Sequence, residues 1–277
     1  MKVYQTNEGL YLESNRGFLK CNKNIDDLIG TRNLHQELLH AIDNAQPNAW
    51  HSTLPGTLLA PIGKQEVWAS GVTYWRSRSA RMEESKDSGG STFYDKVYEA
   101  ERPELFFKSA AFRVVPHQKP VRIRKDSIWN VPEPELTLVF NPQGEIIGYT
   151  IGNDMSSRAI EGENPLYLPQ AKTYNGSCAL GPCIYFTDKP FPPETEIELE
   201  IVRTGQCAFS GTVAVSQIRR KFEELGEFLF RELSFPYGCF LMTGTGIVPP
   251  NNFTLQAGDE IRIKIEPMGE LINPVST

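Results

Sequence analysis

A β-rich α+β fold is what this sequence predicts, and three observations predict it. Short apolar segments with period-two alternation recur along the chain, Gly and Pro punctuation separates them, and helical periodicity is clear in only two places, with no strand–helix–strand repeat. The 277 residues exceed one small module and suit one large or two unequal domains. At 40% hydrophobic and 22% charged residues the chain can bury a sizeable core, so 22 Gly and 20 Pro mark turns rather than disorder.

Residues 1–65 alternate short apolar segments with turn residues, then place Leu34, Leu38, Ile42 and Ala45 at helical spacing. This predicts short strands and one amphipathic helix ending before Pro47. Pro55, Gly56, Pro61 and Gly63 punctuate the stretch beyond that helix. A small N-terminal α+β domain over 1–65 and a catalytic domain over 66–277 are therefore expected. After an apolar segment at 67–71 the chain turns polar and charged over 75–101, around Ser88-Gly89-Gly90-Ser91, the composition of a lid loop. Strands resume from Leu105. Segments 136–140 and 145–151 flank an Asn141-Pro142-Gln143-Gly144 turn and read as a hairpin, and Ile197/Leu199/Ile201 and Ile261/Ile263/Ile265 alternate cleanly. One helix interrupts these strands, expected to be capped by Ser216 and to carry Ile218, Phe222, Leu225 and Leu229 on one face.

Composition excludes several classes of function. Twenty-eight basic against 34 acidic residues give −6, with no basic stripe interleaved with aromatics, so nucleic acid is not an expected partner. No basic-then-apolar leader opens the sequence and no segment approaches the ~20 apolar residues of a membrane span, so no membrane association is expected. Five scattered cysteines are an odd number and lack zinc-ligand spacing, which predicts free thiols in a reducing cytoplasm. No G-x-G-x-x-G or P-loop is present, so a dinucleotide or nucleoside triphosphate is not expected.

Glu133-Pro134-Glu135 leads directly into an apolar strand. Residues i and i+2 of a strand share a face, so two carboxylates roughly 6–7 Å apart would open on one space. Such a pair is costly to bury unless a cation neutralises it, and hard oxygen donors suit Mg²⁺, Mn²⁺ or Ca²⁺. The hairpin turn folds the next strand back and brings Asp154 towards Glu133 as a third ligand. The competing reading is a set of solvated edge carboxylates. A second acidic row, Glu196, Glu198 and Glu200, lies opposite Ile197, Leu199 and Ile201 and reads as the wet face of a half-exposed strand.

Taken in order, Glu133-x-Glu135, Gly148-Tyr149-Thr150-x-x-Asn153-Asp154-x-Ser156-x-Arg158, Lys172 followed by Gly181-Pro182, Thr243-Gly244-Thr245, and Gly258-Asp259-x-Ile261 resemble the fumarylacetoacetate hydrolase superfamily. The resemblance runs from Val67 to Val275. It implies a mixed β-roll catalytic domain, Mg²⁺ on Glu133, Glu135 and Asp154, a 2-oxo acid held on that ion, and assembly as a homodimer or homotetramer. Hydrolases of this family carry a histidine after the first strand to activate water, and here Ser77 stands in its place. Asn175 and Gly176 replace the Asp-Thr that often follows the family lysine. His35, His40, His51 and His117 fit no such position and are expected to be structural or exposed.

Gly71-Val72-Thr73-Tyr74, the stretch from Arg78 to Ser85, Pro103-Glu104-Leu105-Phe106-Phe107-Lys108, and Thr243 to Pro249 are similar to the dehydratase branch of that family. This implies conversion of a 2-keto-3-deoxy pentonate to 2,5-dioxopentanoate. Lys172 would take the C3 proton, since burial beside a divalent cation lowers a lysine's pKa, and Glu104 would protonate the departing C4 hydroxyl. Thr245 and the N–H groups around Gly244 would bind the substrate carboxylate, with Arg76, Arg78 and Arg81 as further candidates for the anion. The alternatives are an acylpyruvate hydrolase or oxaloacetate decarboxylase on the same metal site, and a non-catalytic 2-oxo-acid binding protein.

Overall fold

A computed structural model describes residues 1–76 and 96–277. Expectations that fall on 77–95, including Ser77, Arg78, Arg81 and most of the lid stretch, lie outside the described residues. In chain order the strands begin with β1 (Lys2–Thr6), β2 (Gly9–Ser14) and β3 (Gly17–Cys21), then helices α1 (Ile25–Ile29) and α2 (Leu34–Asn44), then β4 (Trp50–His51). There follow β5 (Glu66–Gly71), β6 (Glu104–Ala110), β7 (Val114–Val115), β8 (Val121–Arg122) and β9 (Asn130–Val131). The hairpin of β10 (Pro134–Phe140) and β11 (Ile146–Asp154) leads through β12 (Ser156–Ser157) to α3 (Arg158–Glu163) and α4 (Leu168–Lys172). The chain closes with β13 (Cys178–Phe186), β14 (Glu196–Arg203), β15 (Gln206–Ala214), α5 (Phe222–Phe230), β16 (Cys239–Met242), β17 (Glu260–Ile265) and β18 (Gly269–Ser276).

Two sheets dominate. The larger runs β4-β3-β2-β1-β13-β11-β10-β16-β5-β6, with β7 paired to β13, and the smaller runs β15-β14-β17-β18-β8. Alternation along the strands sorts the core. Leu136, Leu138 and Phe140 meet Ile197, Leu199, Ile201, Ile261 and Ile263 of the smaller sheet. Val139, Phe240 and Met242 join Leu28, Ile29, Leu34 and Leu38 of the two N-terminal helices on the other side. Because β1 pairs with β13, the boundary expected near residue 65 lies within one continuous sheet, and the segment before that boundary runs alongside β1, with Leu59 N–H donating to Gln5 O at 2.8 Å.

The expected hairpin forms, and its turn explains why. Asn141 Oδ1 accepts the N–H groups of Gln143 and Glu145 at 3.0 and 2.9 Å, and Gly144 takes φ +79°. The Glu196, Glu198 and Glu200 row is a solvated face, where Glu198 pairs with Lys264 and Glu200 with Arg262 across strands. The Ser216 cap is a correction. The helix starts at Phe222 with Lys221 as its N-cap, while Ser216 lies in a 3-10 turn at Val215–Gln217 and donates its N–H to Pro193 O. Tertiary contacts hold that segment out of the helix: Ile218 bridges to Tyr74, and Arg219 N–H donates to Thr73 O at 3.0 Å.

Candidate metal centre and active site

Hairpin register brings the three predicted carboxylates together. Glu133 and Asp154 exchange backbone hydrogen bonds at 3.2 and 2.9 Å, and Glu135 faces Gly152 across the pair. One oxygen from each of Glu133, Glu135 and Asp154 lies within 4.8 Å of the others, and all three residues are buried. Arg158 donates to Glu133 Oε1 at 2.7 Å from the first residue of α3. Lys172, at the end of α4, places Nζ 2.5 Å from Glu133 Oε2, 3.1 Å from Asp154 Oδ2 and 2.5 Å from Ser156 Oγ. Lys108 Nζ ion-pairs with Asp154 Oδ1 at 2.5 Å and donates to Met155 O at 3.0 Å and to the carbonyl of Lys172.

Glu135 is the exception. Among the described residues it has no salt bridge, and its Oε2 accepts the Gly244 N–H at 2.6 Å. Burial above all, then the charges of Asp154 and Glu133, push its carboxyl well above the usual range. A buried carboxylate short of positive charge, in a donor set made wholly of oxygen, fits a hard divalent cation, so these residues pass the test that Mg²⁺ sets.

Glu104 opens β6 and is the register partner of Gly71 on β5. Extending the pairings Thr137↔Met242 and Met242↔Ala69 by two residues puts Gly244 between Glu135 and Gly71, so Glu135, Gly244, Gly71 and Glu104 follow one line across the strands. The sheet curls along that line, since Lys108 on β6 reaches Asp154 on β11. Phe106, two residues beyond Glu104, holds its ring 5.8 Å from Lys172 Nζ. The proposed acid and base are thus on neighbouring stretches of one wall.

The other predicted contacts are placed differently. The Gly244 N–H is occupied by Glu135, and Thr245 Oγ1 bonds within its own loop, accepting Ile247 N–H at 3.2 Å and donating to Ile247 O at 3.3 Å. Arg76 is exposed, and Arg81 lies outside the described residues. The four histidines take no part in the cluster; His117 Nδ1 accepts the Ile272 N–H at 3.1 Å. The five cysteines are free thiols, with burial raising Cys178 and Cys183 to about 12.

Sequence reasoning missed Lys108, Ser156 and the pairing role of Arg158. The signal for Lys108 was present: a lysine closing the apolar run Leu105-Phe106-Phe107 has no place in a buried strand unless it meets a carboxylate.

Known proteins resemble this chain in sequence and in fold. The family model described as Fumarylacetoacetate (FAA) hydrolase C-terminal matches residues 76–276. A 2-dehydro-3-deoxy-D-arabinonate dehydratase of Saccharolobus solfataricus is 46% identical over 217 residues, 78% of this chain and 73% of that one. A probable 2-keto-3-deoxyxylonate dehydratase of Haloferax volcanii is 45% identical over 218 residues, 78% of this chain and 74% of that one. A solved 2-keto-3-deoxy-D-arabinonate dehydratase complexed with magnesium and 2,5-dioxopentanoate superposes with a TM-score of 0.80 at 33% identity, covering 100% of this chain and 99% of that one.

Proposed function

The chain belongs to the fumarylacetoacetate hydrolase family, and from that premise we propose that it is a Mg²⁺-dependent dehydratase, turning a 2-dehydro-3-deoxy pentonate such as 2-dehydro-3-deoxy-D-arabinonate into 2,5-dioxopentanoate and water. The observation that carries this reading is the buried oxygen cluster with Lys172 Nζ inside it and Glu104 on the same line of the sheet as Glu135. Glu133, Glu135 and Asp154 hold the ion, and Mn²⁺ or Ca²⁺ suit the same donors. Bound there, Mg²⁺ supplies a Lewis acid for the carboxylate and keto oxygens of a 2-oxo acid.

The chain's own groups move the protons. Lys172 Nζ takes a proton from C3, and the electron pair of that C–H bond becomes the C3–C4 double bond. Glu104 gives its proton to the C4 hydroxyl as the C–O bond breaks, and water leaves. The carboxylate left on Glu104 then takes a proton from C5, Lys172 returns its proton to C3, and the resulting C5 enol becomes the aldehyde. One water is lost in total and no oxidant is needed. Each positioned proton transfer contributes ~10²–10⁴-fold in rate. Thr245, Arg76 and Arg81 are assigned to the substrate carboxylate; the Gly244 N–H serves Glu135 instead.

The same reading puts the enzyme in pentose catabolism and in the cytoplasm, which its five free thiols suit. It also makes the enzyme a homodimer or homotetramer, which would cover Phe112, Ile128 and Leu166, now 82%, 90% and 84% exposed. Side-by-side assays test the chemistry. With Mg²⁺, 2-dehydro-3-deoxy-D-arabinonate should yield 2,5-dioxopentanoate while an acylpyruvate and oxaloacetate stay intact; preferential acylpyruvate cleavage or loss of CO₂ from oxaloacetate would overturn the reading.

A further inference from the structure

We infer that Gly71 is a positioning residue for Glu104, an inference that rests on the dehydratase reading because it concerns the acid of the proposed elimination. Gly71 has no positive φ, so its backbone does not demand glycine. The space around it does. A Cβ on Gly71 would stand 2.6 Å from Glu104 Cδ and would overlap the carboxylate itself. The Glu104 carboxylate therefore lies folded over Gly71 on the neighbouring strand, and the missing side chain makes that position available.

The backbone on both sides of this contact is fixed. Ser70 Oγ donates to Glu104 O at 3.0 Å, tying β5 to the residue that carries the acid. Val72 is held at φ +53°, a left-handed conformation that a β-branched residue keeps only where its surroundings impose it. Thr73 Oγ1 donates to Thr243 O at 2.6 Å, and the next amide, Gly244 N–H, donates to Glu135 Oε2 at 2.6 Å. One turn, residues 70–73, thus locates the acid at one end and braces a metal ligand at the other.

Gly71→Ala adds a methyl group against the far end of a flexible side chain, so the fold accommodates it and the carboxylate moves. Calorimetric Mg²⁺ affinity should stay within about twofold of the parent, and C3 proton exchange of bound substrate in D₂O within about threefold, while 2,5-dioxopentanoate formation falls at least ~10²-fold. Glu104→Gln should show the same pattern, and the double variant should be no worse than either single one, since both remove the same acid. Glu104→Asp gives an independent handle with Gly71 intact: the shorter side chain withdraws the carboxylate from over Gly71 and should also lose elimination but keep exchange. Normal elimination in Gly71→Ala, or in Glu104→Asp, with Glu104→Gln impaired overturns the positioning role alone. Normal elimination in Glu104→Gln overturns the acid assignment on which it rests. Equal loss of exchange and elimination in Gly71→Ala marks general damage to the site and overturns the inference too.

Discussion

Lys172 and Lys108 are both buried lysines beside Asp154, and their surroundings give them different work. Lys172 Nζ faces Glu133, Asp154, Ser156 and the Phe106 ring, on the side where the metal and substrate would lie. Lys172→Met should keep Mg²⁺ binding yet slow C3 exchange in D₂O by at least ~10²-fold; exchange at the parent rate would reassign the base. Lys108 spends its ammonium on Asp154, Met155 O and Lys172 O, leaving no donor for chemistry. Its replacement by Met leaves a buried carboxylate without this partner, so the metal-free protein should lose about 3–5 kcal/mol in urea unfolding. A loss under ~1 kcal/mol would show that Asp154 finds its compensation elsewhere. Glu133, Glu135 and Asp154 were legible in the sequence because strand periodicity and one turn suffice to bring them together. Lys108 carried a local signal as a lysine closing an apolar run, but its partner was not legible, because Asp154 lies 46 positions away on β11 and only the curl of the sheet makes them neighbours.

At the scale of elements, the β10–β11 hairpin carries the site, and its turn depends on one side chain. Asn141 is buried, accepts two N–H groups and donates to Glu145 Oε2 at 2.6 Å. Asn141→Ala should cost about 1–3 kcal/mol of stability by removing the hydrogen bonds that close the turn, each worth ~0.5–1.5 kcal/mol, with metal affinity falling in parallel as the register loosens. Unchanged unfolding would mean that strand packing alone holds Glu133 against Asp154. The hairpin, α2 and the strands around Leu199 and Ile263 could be read directly, since turn chemistry and period agree there. The start of α5 could not. The stretch Ser216 to Phe222 has cap-like chemistry and helical spacing, but the bridge from Ile218 to Tyr74 wins over local preference.

Across the whole molecule, residues 1–65 are bound to the rest by strand pairing and a shared core. Val3, Leu10, Leu28 and Leu38 pack in one cluster with Val139, Leu180 and Met242. Gln65 Nε2 donates to Asp26 Oδ1 and to Tyr237 O, both at 2.9 Å, closing the seam. A chain beginning at residue 66 should therefore lack a cooperative thermal transition, although every proposed catalytic and metal-binding residue lies beyond it; a sharp transition would make the two parts independent folding units. Composition and motif order were enough to indicate the class of fold, whereas the passage of one sheet through both parts depends on β1 meeting β13, a long-range pairing that no local pattern encodes.

Elimination driven from the buried carboxylate cluster requires its metal, so it should switch off and on with the ion in a single sample. Protein stripped with chelator is mixed with 2-dehydro-3-deoxy-D-arabinonate and followed by NMR before and after Mg²⁺ is returned. No product should form with the stripped protein, and 2,5-dioxopentanoate should accumulate with one water lost once the ion is restored. Turnover that persists after chelation, or restored turnover that yields pyruvate and a two-carbon fragment instead, would contradict the metal-dependent dehydration.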